Sequence, residues 1–202
     1  MLKHLRYVLN SAEKKKITHC LRFLLYLDPP YSAVTENELA LLLNYSRRAE
    51  VIVEIGCFEG KTSVALARNT SGIVYSIDPF FSGRLRISYA KWIARIHARK
   101  HKVRNLRFVE GLSFDVVRDF HQEIDFLFID GDHNYDVAKR DWEDWLPKMR
   151  NQGIIALHDS IQARCSPNRL GSQRLYEQDI PKFKEVHELA STDSLVILQV
   201  DR

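Results

Sequence analysis

The sequence predicts an α/β protein whose parallel sheet is covered by helices on both faces. Five short apolar segments alternate with helical patterns between residues 51 and 157, and this alternation is typical of such a sheet. A glycine-containing turn follows the first apolar segment, as in many ligand-binding α/β proteins. With 202 residues, 45% hydrophobic and 28% charged, the chain lies in the ordinary globular range and can bury a sizeable core.

Two helices are expected ahead of the first strand, over residues 12–27 and 35–45. The second opens with Thr35 and Glu38 in capping-box spacing, directly after a segment containing a Pro-Pro pair. We therefore divide the chain into an N-terminal helical extension, residues 1–34, and a main domain, residues 35–202.

The first predicted strand, residues 51–55, leads into a turn bracketed by Gly56 and Gly60 and then into a helix at residues 61–69. Glycine lets the backbone approach a ligand more closely than a Cβ would permit. Phe58, however, replaces the middle glycine of a dinucleotide loop, and the carboxylate of Glu54 would repel a pyrophosphate. A ligand with a cationic amine suits Glu54 better.

The second predicted strand, residues 73–77, is followed by Asp78, in the position that accepts hydrogen bonds from ribose hydroxyls. S-adenosylmethionine carries an ammonium, a sulfonium and a ribose diol, so it matches both acidic residues. Glycine turns and acidic residues at strand ends are also common in purely structural roles. That alternative stays open for each of the two segments when it is considered alone. From these two segments we expect cofactor contacts by Glu54, Gly56, Cys57, Phe58, Gly60, Thr62, Ser63, Asp78 and Pro79.

The remaining elements continue the alternation. Strands are expected at residues 106–109, 124–129 and 154–157, and helices at 85–101, 114–122 and 135–150. Residues 183–189 and 195–200 are read as a strand pair that closes the sheet, an ending not expected of a dehydrogenase.

The motifs EIGCFEG, YSIDPF, FIDGDHNY and GIIALHD together resemble those of class I S-adenosylmethionine-dependent methyltransferases, over roughly residues 35–200. The chain is most similar to the small O-methyltransferases related to macrolide-sugar and catechol-type enzymes. This resemblance implies a doubly wound, Rossmann-like sheet of seven strands in an α/β/α sandwich, with the last strand antiparallel. It also implies adenine contacts after the third strand, at Gly111 and Ser113; a helix N-cap is the plain alternative for Ser113.

The candidate catalytic corner follows the strand at residues 124–129, where Asp130 and His133 lie. Open α/β sheets bind their ligands at this edge, and Asp130 is also expected to touch the cofactor. Histidine titrates near neutrality, which suits removal of a hydroxyl proton. In the related metal-dependent enzymes a base lies three residues after the first metal-binding aspartate, and His133 has that spacing from Asp130. We expect His133 to be the general base, whereas Asp132 holds the turn.

The resemblance also implies a divalent metal, Mg, Mn or Fe, held by Asp130, His158 and Asp159. Magnesium prefers an all-oxygen shell, so the imidazole of His158 favours manganese or iron or indicates that no metal binds. The alternative is that His158 and Asp159 only cap the strand and the following turn.

The acceptor is inferred from charge alone. Residues 79–109 contain no Asp or Glu, so an anionic small molecule would be attracted to this segment; a solvated basic face is the alternative. Arg164, Arg169 and Arg174 add positive charge further along. The basic residues of the segment are Arg84, Arg86, Lys91, Arg95, Arg99, Lys100, Lys102, Arg104 and Arg107.

The cellular setting and partners are expectations from composition. The three cysteines form no CxxC pair, so a reducing, cytoplasmic setting is the default. No apolar run is long enough to span a membrane, and residues 3–16 carry too many charges for a secretory signal. The first helix is a candidate lid or homodimer contact.

Three functions from different classes are compatible with this sequence. The leading one is O-methylation of a hydroxyl on a small polar or anionic metabolite. The second is methylation of RNA or protein, for which the formal charge of +4 is only modest support. The third is a protein with the cofactor fold but without methyl transfer.

Overall fold

The computed structural model describes residues 11–83, 86–161 and 171–202. Its centre is a seven-stranded sheet with the strand order β3-β2-β1-β4-β5-β7-β6. Strands β1 to β5 are parallel to one another, and β7 is antiparallel to both of its neighbours. The predicted fold class is therefore confirmed. The strands are β1 (Val51–Ile55), β2 (Ile73–Asp78), β3 (Leu106–Glu110), β4 (Ile124–Ile129), β5 (Met149–Leu157), β6 (Val186–Thr192) and β7 (Leu195–Val200).

Helices cover both faces of the sheet. Short 3-10 segments at Val117–Asp119, Leu146–Lys148 and Ile180–Lys182 extend three of the connections. The helices are α1 (Ser11–Leu24), α2 (Glu36–Ser46), α3 (Lys61–Asn69), α4 (Tyr89–Lys100), α5 (Ser113–Val116), α6 (Tyr135–Trp145) and α7 (Gly171–Gln178).

The core lies on both sides of β4, a nearly continuous apolar strand. Leu127 packs against Trp142 and Trp145 of α6 on one face, whereas Phe126 packs with Leu42 of α2 on the other. All five side chains have no exposed surface. An apolar strand buried on both faces requires helices on both sides, which explains why the alternation predicts this architecture.

Three helices end clearly earlier than the sequence pattern indicates. The first, predicted over residues 12–27, ends at Leu24. The predicted helix at residues 135–150 stops at Trp145, because Pro147 ends the helix and Met149 instead pairs with Ile124 as β5 begins. The predicted helix at residues 114–122 is only the short α5 and a 3-10 segment, since the chain must turn at Phe120 into β4. Helix α7 is not anticipated by the sequence analysis.

The N-terminal helix packs on α4 through Cys20, Phe23 and Ile93. The boundary at residues 34 and 35 stays a prediction. Arg84, Leu85, Arg164, Cys165 and Arg169 lie outside the described residues. Within the described ranges, no helix combines the length and apolarity needed to cross a membrane.

Candidate active site

A cavity of about 500 Å³ opens at the carboxyl ends of β1, β2 and β4. Ligands of open α/β sheets bind at this edge, where the strand order reverses. Most of the sequence-predicted site residues meet here. Those that line the cavity are Gly56, Cys57, Phe58, Thr62, Asp78, Pro79, Gly111, Ser113, Asp130 and His133.

The glycine loop is shaped by contacts with two different neighbours. Gly56 has φ 92°, and a Cβ there would lie 2.0 Å from the carbonyl oxygen of Asp130. The loops after β1 and β4 can therefore pack this closely only because residue 56 is a glycine. Gly60 has φ 74°, and its Cβ would lie 2.9 Å from the Cβ of Ala94. Gly60 therefore packs against α4 and is not among the residues that line the cavity, and its expected cofactor contact stays a prediction.

The carboxylate of Asp78 organises the same loop. Its Oδ2 atom accepts the backbone N–H groups of Cys57 at 3.0 Å and Phe58 at 2.9 Å, and its Oδ1 atom accepts that of Phe80 at 2.6 Å. Since a carboxylate offers about four acceptor sites, Asp78 keeps acceptor capacity on the cavity wall. Two hydroxyls of a ribose are suitable donors for it.

Glu54 does not reach the cavity. Its side chain is fully buried, and its Oε2 atom accepts the hydroxyls of Ser63 and Ser76. Burial raises the pKa of Glu54 to about 8, against the lowering effect of the hydrogen bonds from Ser63 and Ser76. Neither Glu54 nor Ser63 is among the residues that line the cavity, because Glu54 precedes the strand end by one residue and points into the helix-covered face with its register partner Ser76. Their expected contacts with the cofactor stay predictions.

Ser113 forms a hydrogen-bonded pair that the sequence analysis missed. It is not the N-cap of α5, a position that Leu112 occupies, and its hydroxyl instead donates to the carboxylate of Asp141 on α6. Burial raises the pKa of Asp141 to about 6. Asp141 also lines the cavity, so this pair adds a polar group where the resemblance implies adenine contacts.

The linker between α1 and α2 supplies another wall that carries no sequence motif. Tyr31, Ser32 and Ala33 line the cavity, and the Ser32 hydroxyl lies 3.5 Å from the Thr62 hydroxyl at the start of α3. No pattern in the sequence distinguishes this linker from an ordinary loop.

His158 lies behind the cavity wall, surrounded by carboxylates. Its Nδ1 atom is 2.9 Å from Asp130 Oδ1 and 3.5 Å from Asp159 Oδ2, and its Nε2 atom is 3.2 Å from Glu38 Oε2. Burial lowers the pKa of His158, but hydrogen bonding with the three carboxylates outweighs this and raises the pKa to about 12. Asp130, His158 and Asp159 are therefore brought together as expected, with Glu38 as an unexpected fourth member.

Glu38 is the member of this cluster that connects it to the rest of the fold. Its Oε2 atom accepts the Thr35 backbone N–H at 2.8 Å, which closes the capping box of α2. Its Oε1 atom accepts the backbone N–H of Ser194 at 2.9 Å and the Ser194 hydroxyl at 2.7 Å. Burial by itself raises the pKa of Glu38, but the hydrogen bonds with His158, Thr35 and Ser194 outweigh it and lower the pKa to about 2.

His133 is half exposed at the cavity, with its Nε2 atom 3.5 Å from Asp159 Oδ2. Asp132 accepts the Asn134 backbone N–H at 2.8 Å, and so it holds the turn as expected. Within residues 11–83, 86–161 and 171–202, no group of three or more His, Cys, Asp and Glu side chains forms a ready-made metal site.

Residues 53–160 match a family described as a methyltransferase domain. This range covers more than half of the chain. It runs from within β1 to just beyond His158 and Asp159.

Two curated relatives match parts of the chain. An uncharacterized protein from Sinorhizobium fredii is 23% identical over 77% of this chain and 18% of its own length. A tRNA (guanine-N(7)-)-methyltransferase from Mycolicibacterium gilvum is 34% identical over 36% of this chain and 27% of its own length. The chain thus spans only about a fifth to a quarter of the length of these relatives.

Solved structures share the fold at low sequence identity. A cofactor-bound protein from MTB has a TM-score of 0.71 at 17% identity, with 100% of this chain and 97% of that chain covered. The O-methyltransferase TomG from Streptomyces achromogenes, solved in complex with SAM, has a TM-score of 0.66 at 18% identity, with 93% and 90% covered. At these identities the likeness concerns the fold alone.

Proposed function

The chain belongs to the methyltransferase-domain family, and we propose that it transfers the methyl group of S-adenosylmethionine to a hydroxyl oxygen of a small, polar, anionic metabolite. The observation that carries this proposal is the placement of Asp78. Its carboxylate is fixed by three backbone N–H groups on the wall of a 500 Å³ cavity, at the sheet edge where a ribose diol is bound in Rossmann-like folds.

The bound cofactor would supply an electrophilic methyl group on a sulfonium. His133 is the proposed general base, since it is the imidazole on the cavity wall and can take the acceptor proton. Asp159, 3.5 Å from His133 Nε2, would orient the ring and stabilise its protonated form. The cavity walls would hold the acceptor oxygen in line with the methyl group and exclude water.

A divalent cation held by Asp130, His158 and Asp159 is a further part of the proposal. The buried Nδ1 atom of His158 faces an oxygen of each aspartate, and a cation would replace the proton that the imidazole shares with them. Glu38 holds the other ring nitrogen, as carboxylates commonly do for metal-ligating histidines. A cation there would act as a Lewis acid that lowers the pKa of the acceptor hydroxyl. The imidazole favours manganese or iron over magnesium.

An RNA acceptor is the second candidate, and two observations favour it. One relative is named as a tRNA methyltransferase, and the segment from Arg86 to Arg107 contains basic residues without any Asp or Glu. In helix α4 this charge continues along the last turn, at Arg99 and Lys100. A salt-dependent affinity for tRNA would support this reading.

A reducing, cytoplasmic setting and a homodimer also stay predictions. Cys20 and Cys57 are free and buried, which is compatible with a reducing compartment. A dimer through α1 would be tested by the mass of the protein in solution.

The proposal is tested by the conversion of S-adenosylmethionine to S-adenosylhomocysteine in the presence of a panel of acceptors. The panel contains hydroxylated sugar phosphates, hydroxybenzoates, bulk tRNA and a protein extract. Turnover with a hydroxylated small anion, and an O-methyl product by mass spectrometry, is the expected result. Turnover only with tRNA or only with protein would overturn it.

A further inference from the structure

A second cavity, of about 540 Å³, lies between α1, α4 and the loop after β2. It shares Tyr31, Phe58, Asp78 and Phe81 with the cavity described above, so the two spaces adjoin at these side chains. The three aromatic residues among them are 52%, 54% and 79% exposed. Large aromatic surfaces left open at one junction are typical of a place where a ligand packs.

The inner wall of this second cavity is apolar and firmly held. Phe80 and Ile93 are 3% and 0% exposed. Ile93 packs with neighbours on α1 and α4, and Phe80 packs with neighbours in the glycine loop, on α4 and on β3. Ile87 lines the space nearer to the solvent. A rigid apolar wall favours the flat or aromatic body of a ligand over a sugar.

The charged side chains that line this cavity differ in how free they are to bind a ligand. The carboxylate of Glu59 is buried, accepts the Tyr31 backbone N–H at 2.6 Å and pairs with His19 Nε2 at 3.0 Å. The Asp78 carboxylate accepts the three backbone N–H groups already described, and its remaining acceptor capacity belongs to the proposed ribose site of the first cavity. By contrast, Lys15 and Lys16 are exposed on α1, and no partner of either ammonium lies among the described residues. The free charge presented to a ligand is therefore positive.

We propose that the second cavity binds the body of the methyl acceptor, and that this acceptor is an amphiphilic anion with an aromatic or similarly flat apolar group. Phe81 and Ile87 would contact the apolar group, with the buried Phe80 and Ile93 behind them, and Lys15 and Lys16 would hold the anionic group. The inference rests on the proposed function, because it requires a cofactor in the adjoining cavity. It narrows the acceptor from polar anions in general to those with an apolar body.

The test uses two fluorescent probes that share an aromatic body and differ in charge: 1-anilinonaphthalene-8-sulfonate, an anion, and the neutral N-phenyl-1-naphthylamine. Both are expected to bind the full chain, and both are expected to bind in the presence of saturating S-adenosylhomocysteine, since acceptor and cofactor must be bound together. The double variant Lys15→Gln with Lys16→Gln should weaken binding of the anionic probe about tenfold, and that of the neutral probe about twofold or less. Phe81→Ser should weaken both probes.

A matched double variant, Lys14→Gln with Lys184→Gln, removes the same charge from residues that do not line the cavity and should leave both affinities unchanged. Equal loss in the two double variants, or displacement of the probes by S-adenosylhomocysteine, would overturn the subsite. Calorimetry with S-adenosylhomocysteine separates the two claims. Cofactor binding without discrimination between the probes rejects the subsite alone, whereas absence of cofactor binding rejects the proposed function and the subsite with it.

Discussion

The Nε2 atom of His158 lies 3.2 Å from the Oε2 atom of Glu38, in a buried contact between residues 120 positions apart in the sequence. Glu38 belongs to the first turn of α2, and His158 directly follows β5. Because Glu38 also binds Ser194 in the turn between β6 and β7, one carboxylate joins a helix start, the C-terminal strand pair and the candidate catalytic cluster.

Replacement of Glu38 by glutamine is expected to reduce the free energy of unfolding by about 3–5 kcal/mol, because it leaves the buried imidazolium of His158 without one of its partners. Urea unfolding at pH 7 measures this. The control is Thr35→Ala, which removes the capping hydroxyl but not the contact with His158 and should cost about 1 kcal/mol. Equal costs for the two variants would show that Glu38 acts only as part of the helix cap.

The metal proposal predicts calorimetric binding of manganese, and tighter binding of manganese than of magnesium. Asp159→Asn should weaken manganese binding about tenfold or more, because it replaces a charged donor by a neutral one. Asp132→Asn is the control, since Asp132 binds only the backbone of its own turn in the structure. If the unaltered chain does not bind manganese, the metal proposal is wrong, and His158 is instead a protonated imidazole that pairs with the surrounding carboxylates.

Glu54→Gln is expected to change the affinity for S-adenosylhomocysteine by about twofold or less, because the buried carboxylate faces Ser63 and Ser76 and not the cavity. Titration calorimetry at pH 7 gives this affinity. A loss of about tenfold or more would mean that Glu54 binds the cofactor ammonium directly, as its position in the sequence indicates.

The same variant should alter the dependence of stability on pH. The pKa of Glu54 is raised from 4.5 to about 8 on folding, so the folded chain holds this proton more strongly than the unfolded chain. Its contribution to stability is complete below pH 4.5 and is lost as the pH rises to about 8, on the order of 4 kcal/mol in all. Unfolding free energies at pH 5 and pH 8 should fall less steeply in Glu54→Gln than in the unaltered chain; parallel declines would contradict the buried, protonated carboxyl.

Substitution of His133 by alanine should lower kcat about 10²–10⁴-fold, the usual contribution of a general base, and should leave the affinity for S-adenosylhomocysteine unchanged. The assay uses an acceptor found in the panel, over a range of pH. His121→Ala, at an exposed histidine outside the cavity, is the control. A loss in cofactor affinity that matches the loss in kcat would assign His133 to binding.

The fold was predictable from the sequence because its strands and helices differ clearly in periodicity. The bounds of β1, β4, α3 and β7 are as predicted, since each is a compact apolar or amphipathic run with turn residues at its ends. The errors lie where tertiary pairing overrides a helical pattern, as at Met149, which continues a helix-like run but pairs with Ile124 in the sheet.

The candidate site was predictable only where its residues follow a strand. Asp78, Asp130 and His133 were identified because the carboxyl ends of parallel strands meet at one edge. Glu38 and Asp141 were missed because both lie on helices, with their partners His158 and Ser113 far away in the sequence. The burial of Glu54 against Ser63 and Ser76 was not evident from the sequence, because one position along a strand decides the face to which a side chain points.

The most direct test of the central claim is the heat of S-adenosylhomocysteine binding to the unaltered chain and to Asp78→Ala, with NADH as the competing ligand. The account predicts binding of one S-adenosylhomocysteine to the unaltered chain, no binding of NADH, and a loss of affinity of about 10- to 100-fold in Asp78→Ala, because charge-assisted hydrogen bonds to the ribose are removed. Unchanged affinity in a folded Asp78→Ala variant, or preference for NADH, would contradict it.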